Sequence, residues 1–253
     1  MITQHFFFIL LYSWIAIAVV TFPVLLFYTA PYGRHTTNTW GVRISNRLGW
    51  FLMELPVVIV FSLLFFMGSA TKTLPVYIFY GLFMLHYTNR IFVFPFRMKT
   101  TGKRMPLLIV LLAVIFNLFN GFFNGYWFGT LSPVYDNSWI LDPRFIIGGL
   151  LFFIGMYINM SSDTILFNLR KGGKSGYYIP YGGLFKYVSS PNLLGEIIEW
   201  TGWAIMCWCL PGFSFAIWTM ANLIPRALDH HRWYKSKFKD YPKNRKAIIP
   251  TIL

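Results

Sequence analysis

Carboxylic acids lie inside strongly apolar stretches of this 253-residue sequence. Glu54 interrupts the run FLMELPVV, while Glu196 and Glu199 lie in an apolar segment that begins at Pro191. Proline beside Ser or Asn is typical of a first helical turn, so Asn192, Glu196 and Glu199 are predicted to share one helix face at i, i+4 and i+7. Ionisable groups buried in a membrane are costly and usually functional, so we expect these acids to take part in chemistry. A structural polar cluster, satisfied by neighbouring helices, is the alternative.

Two more apolar segments carry polar side chains of the same kind. The third predicted span contains Tyr87 and Arg90 in LHYTNRIF, and the fifth contains Asn159 and Asp163 at i and i+4. Glu54 could simply form an ion pair with Arg90, which would make both residues structural. Because acids recur in several spans at similar depth, the sequence instead favours a shared polar cavity that opens to the basic side of the protein.

The composition identifies the class of protein that must position these groups. The sequence is 56% hydrophobic and 21% aromatic, with only 12% charged residues, which is typical of an integral membrane protein. The net charge of +14 lies in short loops and the C-terminal tail, a pattern that argues against nucleic acid as a partner. Cys207 and Cys209 lie two residues apart in an apolar run and indicate neither a disulfide framework nor a zinc site, so no metal is expected.

Apolar segments of about 20 residues, the length that crosses a bilayer, recur along the chain. The sequence predicts an all-α integral membrane fold, a bundle of seven transmembrane helices in one domain covering residues 1–253. The last apolar region is too long for one span, and Pro211-Gly212 is predicted to divide it by a tight turn. The predicted spans are about 6–28, 48–70, 74–96, 106–128, 145–169, 193–210 and 212–228.

The positions of the basic residues support this count. With seven spans, the loops 31–47, 97–105 and 170–192 and the tail 229–253 lie on one side and hold nearly every Lys and Arg. The positive-inside rule then places the N-terminus outside and the C-terminus in the cytoplasm, whereas six spans would put the tail opposite the basic loops. We expect a multi-pass protein of the bacterial inner membrane, or of the endoplasmic reticulum if the source is eukaryotic.

The predicted cavity has the chemistry for a large anionic cofactor. Guanidinium and ammonium groups bind phosphates, and amide or carboxylate side chains can bind ribose hydroxyls and a carboxamide. Each loop Arg, taken alone, could equally be a marker of topology. The sequence lacks a GxGxxG motif, so a dinucleotide would not lie on a Rossmann unit.

Long ordered runs of the sequence carry a resemblance to a known family. They are GMYINMSSDTILFNLRKGG (155–173), YYIPYGGLFKYVSSPNLLGEIIEWTGWA (177–204) and RALDHHRWYKSKFKDYPKNRKAIIP (226–250), and together they resemble steroid 5-alpha-reductases. FLMELP at 51–56 and HYTNRIFVFPF at 86–96 are similar to the two catalytic segments of that family. The resemblance implies a seven-helix membrane oxidoreductase that uses NADPH to reduce the 4,5 double bond of a 3-oxo-4-ene steroid or a similar enone lipid.

The resemblance implies that Glu54 and Tyr87 bind the 3-oxo group of the substrate, in a pocket that includes Met53 and Arg90. Hydride addition to the far carbon of an enone drives negative charge onto the carbonyl oxygen, so a donor aimed at that oxygen stabilises the transition state. Tyr87 can donate its phenol proton, and Glu54 can donate when protonated or orient the phenol as a carboxylate. Met53 stands where animal relatives carry Gln, which leaves the steroid preference open.

The resemblance also implies a binding site for NADPH. Glu199 is expected to brace its helix or the neighbouring ones instead. Tyr178 replaces a basic residue that is common in its loop, which leaves the group that binds the 2′-phosphate open. The residues implied for the cofactor are Asn159, Asp163, Arg170, Asn192, Glu196, Arg226, His230 and Tyr234, with Arg97, Lys103 and Arg104 near its phosphates.

Two other functions are compatible with the sequence. A membrane methyltransferase of the isoprenylcysteine carboxyl type has a broadly similar C-terminal cofactor region and would use S-adenosylmethionine. A small proton-coupled transporter could use Glu54, Asp163 and Glu196 as a relay, although no inverted repeat is visible in the sequence. The expected partners are a steroid or other enone lipid and membrane lipid, and the expected oligomeric state is a monomer.

Overall fold

A computed structural model of the protein describes residues 2–36, 40–98, 102–171 and 176–253. Strands β1 (Arg43–Ser45) and β2 (Arg104–Pro106) pair antiparallel, and π-helical segments at Asn89–Val93 and Trp127–Leu131 follow the third and fifth helices. The helices are α1 (Gln4–Phe27), α2 (Asn46–Met67), α3 (Leu74–Thr88), α4 (Phe94–Arg97), α5 (Leu107–Tyr126), α6 (Pro143–Asn168), α7 (Pro191–Cys207) and α8 (Leu210–Lys237).

The all-α membrane class predicted from the composition is confirmed, because the described residues are mainly helical and include long apolar helices. Helices α1, α2 and α6, and α5 with its π-helical extension to Leu131, are long and apolar enough to cross a membrane. The other predicted spans coincide with the segment from α3 to α4, with α7 and with α8. The count of seven crossings and the orientation of the termini stay predictions.

The turn between the last two helices is not where the sequence predicts it. Helix α7 ends at Cys207, Trp208 adopts a left-handed conformation with φ of 46°, and α8 begins at Leu210. Pro211 therefore lies in the first turn of α8, where its missing N–H costs no helical hydrogen bond. The prediction of a turn at Pro211-Gly212 is wrong because the proline starts the second helix rather than ending the first.

The third predicted span changes its helical geometry directly after Tyr87. Residues Asn89–Val93 are π-helical, and α4 then continues to Arg97. Pro95 has no N–H to donate to the carbonyl four residues earlier, which explains why the regular α-helical hydrogen bonding cannot continue through this stretch. Such π-helical turns occur often at functional sites.

The contacts within the chain divide it into two compact units. The first comprises Met1–Leu11 and Ala30–Phe145, and its central contact is between α2 and α5. Gly121 and Gly125 allow that contact to be close, since a Cβ atom on either would lie 2.9 Å from the backbone of α2. Small residues at membrane helix interfaces let two backbones approach in this way.

The second unit comprises Tyr12–Thr29 and Ile146–Leu253. Its helices α6 and α7 also meet through glycines, because a Cβ atom on Gly195 would lie 2.5 Å from the backbone nitrogen of Asn159. Helix α8 packs against α7 through aromatic residues, with the ring centroids of Trp200 and Phe215 4.3 Å apart. Both units therefore place polar residues on helices that are held unusually close to a neighbour.

Candidate active site

Glu54 lies on α2 in a nearly buried polar cluster of the first unit. Its Oε1 is 3.8 Å from Nη2 of Arg90, and its Oε2 accepts a hydrogen bond of 3.3 Å from Nδ2 of Asn117. The side chains of Glu54 and Arg90 are only 12% and 10% exposed. At 3.8 Å the contact with Arg90 is an ion pair rather than a hydrogen bond, so the pairing considered as a structural alternative is present. The second carboxylate oxygen contacts an amide instead.

Tyr87 is buried in the last turn of α3, with 3% of its surface exposed. Its hydroxyl oxygen accepts a hydrogen bond of 3.1 Å from Nδ2 of Asn120. The guanidinium carbon of Arg90, three residues later, lies 4.7 and 4.4 Å from the ring centroids of Trp50 and Phe94. Cation–π contacts hold the guanidinium in an apolar setting, which strengthens its field at the neighbouring carboxylate.

Met53, which the resemblance assigns to the substrate pocket, is 7% exposed. Its side chain packs in an apolar cluster with Met105 and Val110. The backbone carbonyl of Met53 accepts a hydrogen bond of 2.5 Å from Nδ2 of Asn117. In this structure Met53 therefore contributes a packed side chain and an anchoring carbonyl beside Glu54.

Helix α5 contacts both expected catalytic residues through two asparagines that are not among the predicted site residues. Asn117 bonds Glu54 and Asn120 bonds Tyr87, and a spacing of three residues puts the two amides on one helix face. The signal that reveals them is the repeat of Asn in the apolar run IFNLFNGFFNG, which also contains Asn124. Asparagine in a membrane helix commonly hydrogen-bonds to a neighbouring helix.

The second unit holds another polar cluster, where α6 meets α7. Nδ2 of Asn192 donates to Oδ1 of Asp163 at 3.0 Å. Nδ2 of Asn159 donates to the backbone oxygen of Asn192 at 2.9 Å and to Oε2 of Glu196 at 3.4 Å. The close approach of the two helices at Gly155 brings these four polar side chains within bonding distance, as the i, i+4 spacing on each helix predicts.

Glu199 is fully buried further along α7. A Cβ atom on Gly155 would lie 2.7 Å from the Cα of Glu199, so this residue lies at one of the close contacts between α6 and α7. This location fits the expected bracing of the helix pair.

Three further residues expected at the cofactor lie on one face of α8, because Arg226, His230 and Tyr234 are four residues apart. Arg226 and Tyr234 are 7% and 2% exposed. Nδ1 of His230 lies 3.4 Å from Oγ of Ser190, the residue that precedes α7. The face of α8 is therefore joined to the start of α7, where Asn192 lies.

The expected phosphate-binding arginine after α6 is held by its own loop. Nε of Arg170 donates to the carbonyl oxygen of Gly176 at 3.2 Å, and its guanidinium carbon lies 5.1 Å from the ring centroid of Tyr177. This loop precedes Tyr178, the position at which the resemblance leads us to expect a basic residue. The side chain of Arg170 is therefore held in place by Gly176 and Tyr177, within the second unit.

The other three basic residues implied for the phosphates belong to the first unit. Arg97 ends α4, Lys103 immediately precedes β2, and Arg104 begins β2 opposite Ser45 of β1. All three residues are exposed. These three residues place positive charge at the surface of that unit.

A hydrogen-bonded cluster anchors the C-terminal segment to the start of α7. Oγ of Ser189 lies 2.7 Å from Nδ1 of His231 and 2.6 Å from the hydroxyl of Tyr241, and the backbone N–H of Ser189 donates to the carbonyl of Lys246 at 2.8 Å. Burial lowers the pKa of His231, and neighbouring Lys and Arg charges lower it further. Burial likewise raises the pKa of Tyr241. The tail is thus fixed by polar groups that prefer to be neutral.

Comparison with known proteins identifies the family. Residues 103–253, more than half of the chain, match the family of 3-oxo-5-alpha-steroid 4-dehydrogenases. The chain belongs to the steroid 5-alpha-reductase family. It is 43% identical over 240 residues to Steroid 5-alpha-reductase DET2 of Gossypium hirsutum, covering 93% of each chain. It is 41% identical over 243 residues to 3-oxo-5-alpha-steroid 4-dehydrogenase 1 of Bos taurus, covering 94% of this chain and 93% of that protein.

The human protein of the same name, 3-oxo-5-alpha-steroid 4-dehydrogenase 1 of Homo sapiens, is 42% identical over 223 residues, which cover 87% of this chain and 85% of that protein. Membership of the steroid 5-alpha-reductase family confirms the resemblance seen in the sequence and the prediction that the protein is an oxidoreductase. It favours that enzyme class over the methyltransferase and the transporter. The matched region includes α5 with its asparagines and the whole of α6, α7 and α8.

Proposed function

We propose that this membrane oxidoreductase transfers a hydride from NADPH to the 4,5 double bond of a 3-oxo-4-ene steroid or a similar enone lipid. The names of relatives at 41–43% identity over more than nine tenths of the chain support the reaction. One structural observation carries the assignment of residues: Glu54 and Tyr87, both nearly buried, bond to amides three residues apart on α5.

An enone reductase has to stabilise negative charge on the substrate carbonyl. When hydride adds to carbon 5, the electron pair of the double bond shifts toward the 3-oxo oxygen, and the resulting enolate takes a proton at carbon 4. We assign Tyr87 as the donor to that oxygen, because a phenol already held in place needs no reorganisation as the charge develops. Glu54 assists either as a protonated second donor or as a carboxylate that orients the phenol.

The second unit supplies a set of groups that fits a phosphorylated dinucleotide. The amides and carboxylates of Asn159, Asp163 and Asn192 are already oriented by bonds to one another and suit ribose hydroxyls and a carboxamide. Arg170 and Arg226 suit phosphates. Glu196, His230 and Tyr234 complete the set. NADPH, when bound there, supplies the hydride.

The proposal includes the predicted topology, with seven crossings, the N-terminus outside, the basic loops in the cytoplasm and a monomeric protein. A basic face in the cytoplasm suits an anionic cofactor that is drawn from that compartment. Labelling of single cysteines placed at His5 and at Lys243 in sealed membrane vesicles checks this: the two positions should react from opposite sides. Reaction of both from one side would rule out an odd number of crossings.

Turnover of NADPH tests the function directly. Protein purified in detergent is given NADPH and a panel of enone lipids that includes progesterone and testosterone. We expect NADPH oxidation that depends on the enone, with a product two hydrogen masses heavier. A protein that ignores NADPH but gains thermal stability with S-adenosylmethionine would instead be a methyltransferase. Flux of a solute into liposomes without consumption of NADPH would indicate a transporter.

A further inference from the structure

We infer that Asn120 is a positioning residue for Tyr87, and that a chain of amides anchored on the α5 backbone fixes the phenol as a hydrogen-bond donor to the substrate oxygen. The inference rests on the proposed function. The inference concerns the direction of the hydrogen bonds at Tyr87. A phenol hydroxyl can donate or accept, and only the donor role stabilises an enolate oxygen.

The chain of amides begins at Asn124. Its Nδ2 donates to the backbone oxygen of Asn120 at 2.9 Å and to Oδ1 of Asn120 at 2.8 Å. A backbone carbonyl can only accept, so the end of the Asn124 side chain that faces it must be the nitrogen. The second hydrogen of that nitrogen then requires an acceptor on Asn120, which identifies Oδ1 as the near end of the Asn120 amide.

The orientation of Asn120 follows from this and decides the role of Tyr87. With Oδ1 turned toward Asn124, the nitrogen of Asn120 faces the phenol oxygen at 3.1 Å and donates to it. The phenol oxygen is therefore an acceptor in this bond, and its own hydrogen serves a bond in which Tyr87 is the donor. Asn120 and Asn124 are 3% and 1% exposed, so water does not compete with this order.

Asn117 donates a hydrogen bond to Glu54 in a similar way. Its Nδ2 is fixed by the carbonyl oxygen of Met53 at 2.5 Å and also donates to Oε2 of Glu54 at 3.3 Å. One face of α5 thus delivers an amide N–H to each of the two catalytic groups. The Asn117 amide is oriented directly by a backbone carbonyl, and the Asn120 amide is oriented by Asn124, which a backbone carbonyl holds in turn. The glycine-mediated contact of α5 with α2 holds this face at the required distance.

A double-mutant cycle tests the inference. The proteins are wild type, Asn120→Leu, Tyr87→Phe and the double variant, with kcat, KM and the dissociation constant for NADPH measured for each. Leucine has a similar shape and no donor, so kcat should fall about tenfold, the effect of one hydrogen bond, with KM and NADPH affinity unchanged. In the Tyr87→Phe background, the same substitution should have no further effect on kcat, because the phenol oxygen is gone.

The variant Asn120→Asp tests the direction of the hydrogen bond. It also provides a second measurement in case the leucine variant folds poorly. Aspartate keeps the shape of asparagine but, when ionised, accepts the phenol hydrogen and reverses the bond. We expect kcat at pH 8 to fall at least as far as in Asn120→Leu, whereas a purely structural role predicts a milder loss from the closer isostere. Asn222→Leu is the control, since Asn222 bonds the neighbouring turn of α8, at the Trp218 carbonyl 2.9 Å away.

The outcomes separate this inference from the function on which it rests. If Tyr87→Phe is slow but Asn120→Leu either has wild-type kcat or multiplies the defect of Tyr87→Phe, Asn120 does not act through the phenol and the inference is overturned while the function stands. If Tyr87→Phe itself has wild-type kcat, the proposed catalytic pair has failed, and the inference fails with it.

Discussion

Nδ2 of Asn192, in the first turn of α7, donates to Oδ1 of Asp163 on α6 at 3.0 Å. This bond joins the start of one helix to the last third of another, and Asn159 bonds the backbone oxygen of Asn192 from the same helix α6. The relationship orients the Asn192 amide with its nitrogen toward α6. The start of α7 is thereby held against the carboxylate and amide of α6 that we assign to NADPH.

Asn192→Leu should weaken the binding of NADPH about tenfold to a hundredfold, because Asp163 loses the donor that orients it and the cofactor loses a polar partner. Fluorescence titration with NADPH in detergent measures the dissociation constant. Ser161→Ala is the matched control, since Ser161 lies two residues before Asp163 and bonds its own helix, at the Ile158 carbonyl. An unchanged dissociation constant in a folded Asn192→Leu protein would remove this cluster from the cofactor site.

Gly155→Ala should separate α6 from α7 and lower both thermal stability and NADPH affinity. An added Cβ would lie 2.5 Å from the carbonyl oxygen of Gly195 and 2.7 Å from the Cα of Glu199, so the helices must move apart. Overpacking of this kind costs about 1–3 kcal/mol. Gly149→Ala on the same helix is the control, because the nearest described atom to its Cβ would be Sδ of Met206, at an ordinary contact distance of 3.9 Å. Equal melting temperatures for the two variants would contradict the proposed role of the glycine contact.

Much of this arrangement is readable from sequence because local rules determine it. Pro191 marks the start of α7 correctly, and the spacing of Asn192 and Glu196 correctly puts both on one face. The apolar lengths locate the helices, since hydrophobic period and length are local properties.

What the sequence does not reveal depends on the neighbour of each helix. The asparagines of α5 look like isolated polar residues until the glycine contact brings Glu54 and Tyr87 to Asn117 and Asn120. The turn at Trp208 was equally hidden, because a left-handed non-glycine residue has no clear local signal. Tertiary packing decides the first of these features, and the pattern of residues within one helix does not contain it.

Tyr87→Phe and Glu54→Gln should each lower kcat about a hundredfold to a thousandfold while NADPH binding persists, because each removes a group that acts on the developing enolate oxygen. Tyr80→Phe is the matched control, since Tyr80 lies two turns earlier on α3 and bonds Ser62 at 2.9 Å. Steady-state kinetics with the best enone of the panel give the values.

The size of the Glu54→Gln defect distinguishes the two roles left open for Glu54. Glutamine keeps an N–H donor and loses the charge. The loss of kcat should therefore be smaller if Glu54 acts as a protonated donor than if it acts as a carboxylate that orients the phenol. Wild-type turnover in both Tyr87→Phe and Glu54→Gln would show that the assigned pair is wrong.

His231 should make the stability of the protein depend on pH. Burial lowers its pKa below the ordinary 6.5, and the charges of Lys235, Lys246 and Arg245 add to the shift. Between the lowered value and 6.5 the unfolded state binds more protons, so stability rises with pH through this window. The contribution of His231 is complete above 6.5 and is lost as the pH falls through the lowered value. Protonation of His231 also adds a positive charge beside the basic tail, which Ser189 and His231 anchor.

Melting temperatures in detergent from about pH 5 to pH 8 measure this dependence. In His231→Gln the slope should flatten, because glutamine can still bond Ser189 but does not titrate. His5→Gln, at an exposed position of α1, should keep the wild-type slope. If His231→Gln retained the full slope, another group would be responsible and the polar cluster at Ser189 would stabilise the tail independently of pH. If both histidine variants flattened it, the dependence would arise from net charge rather than from burial of one imidazole.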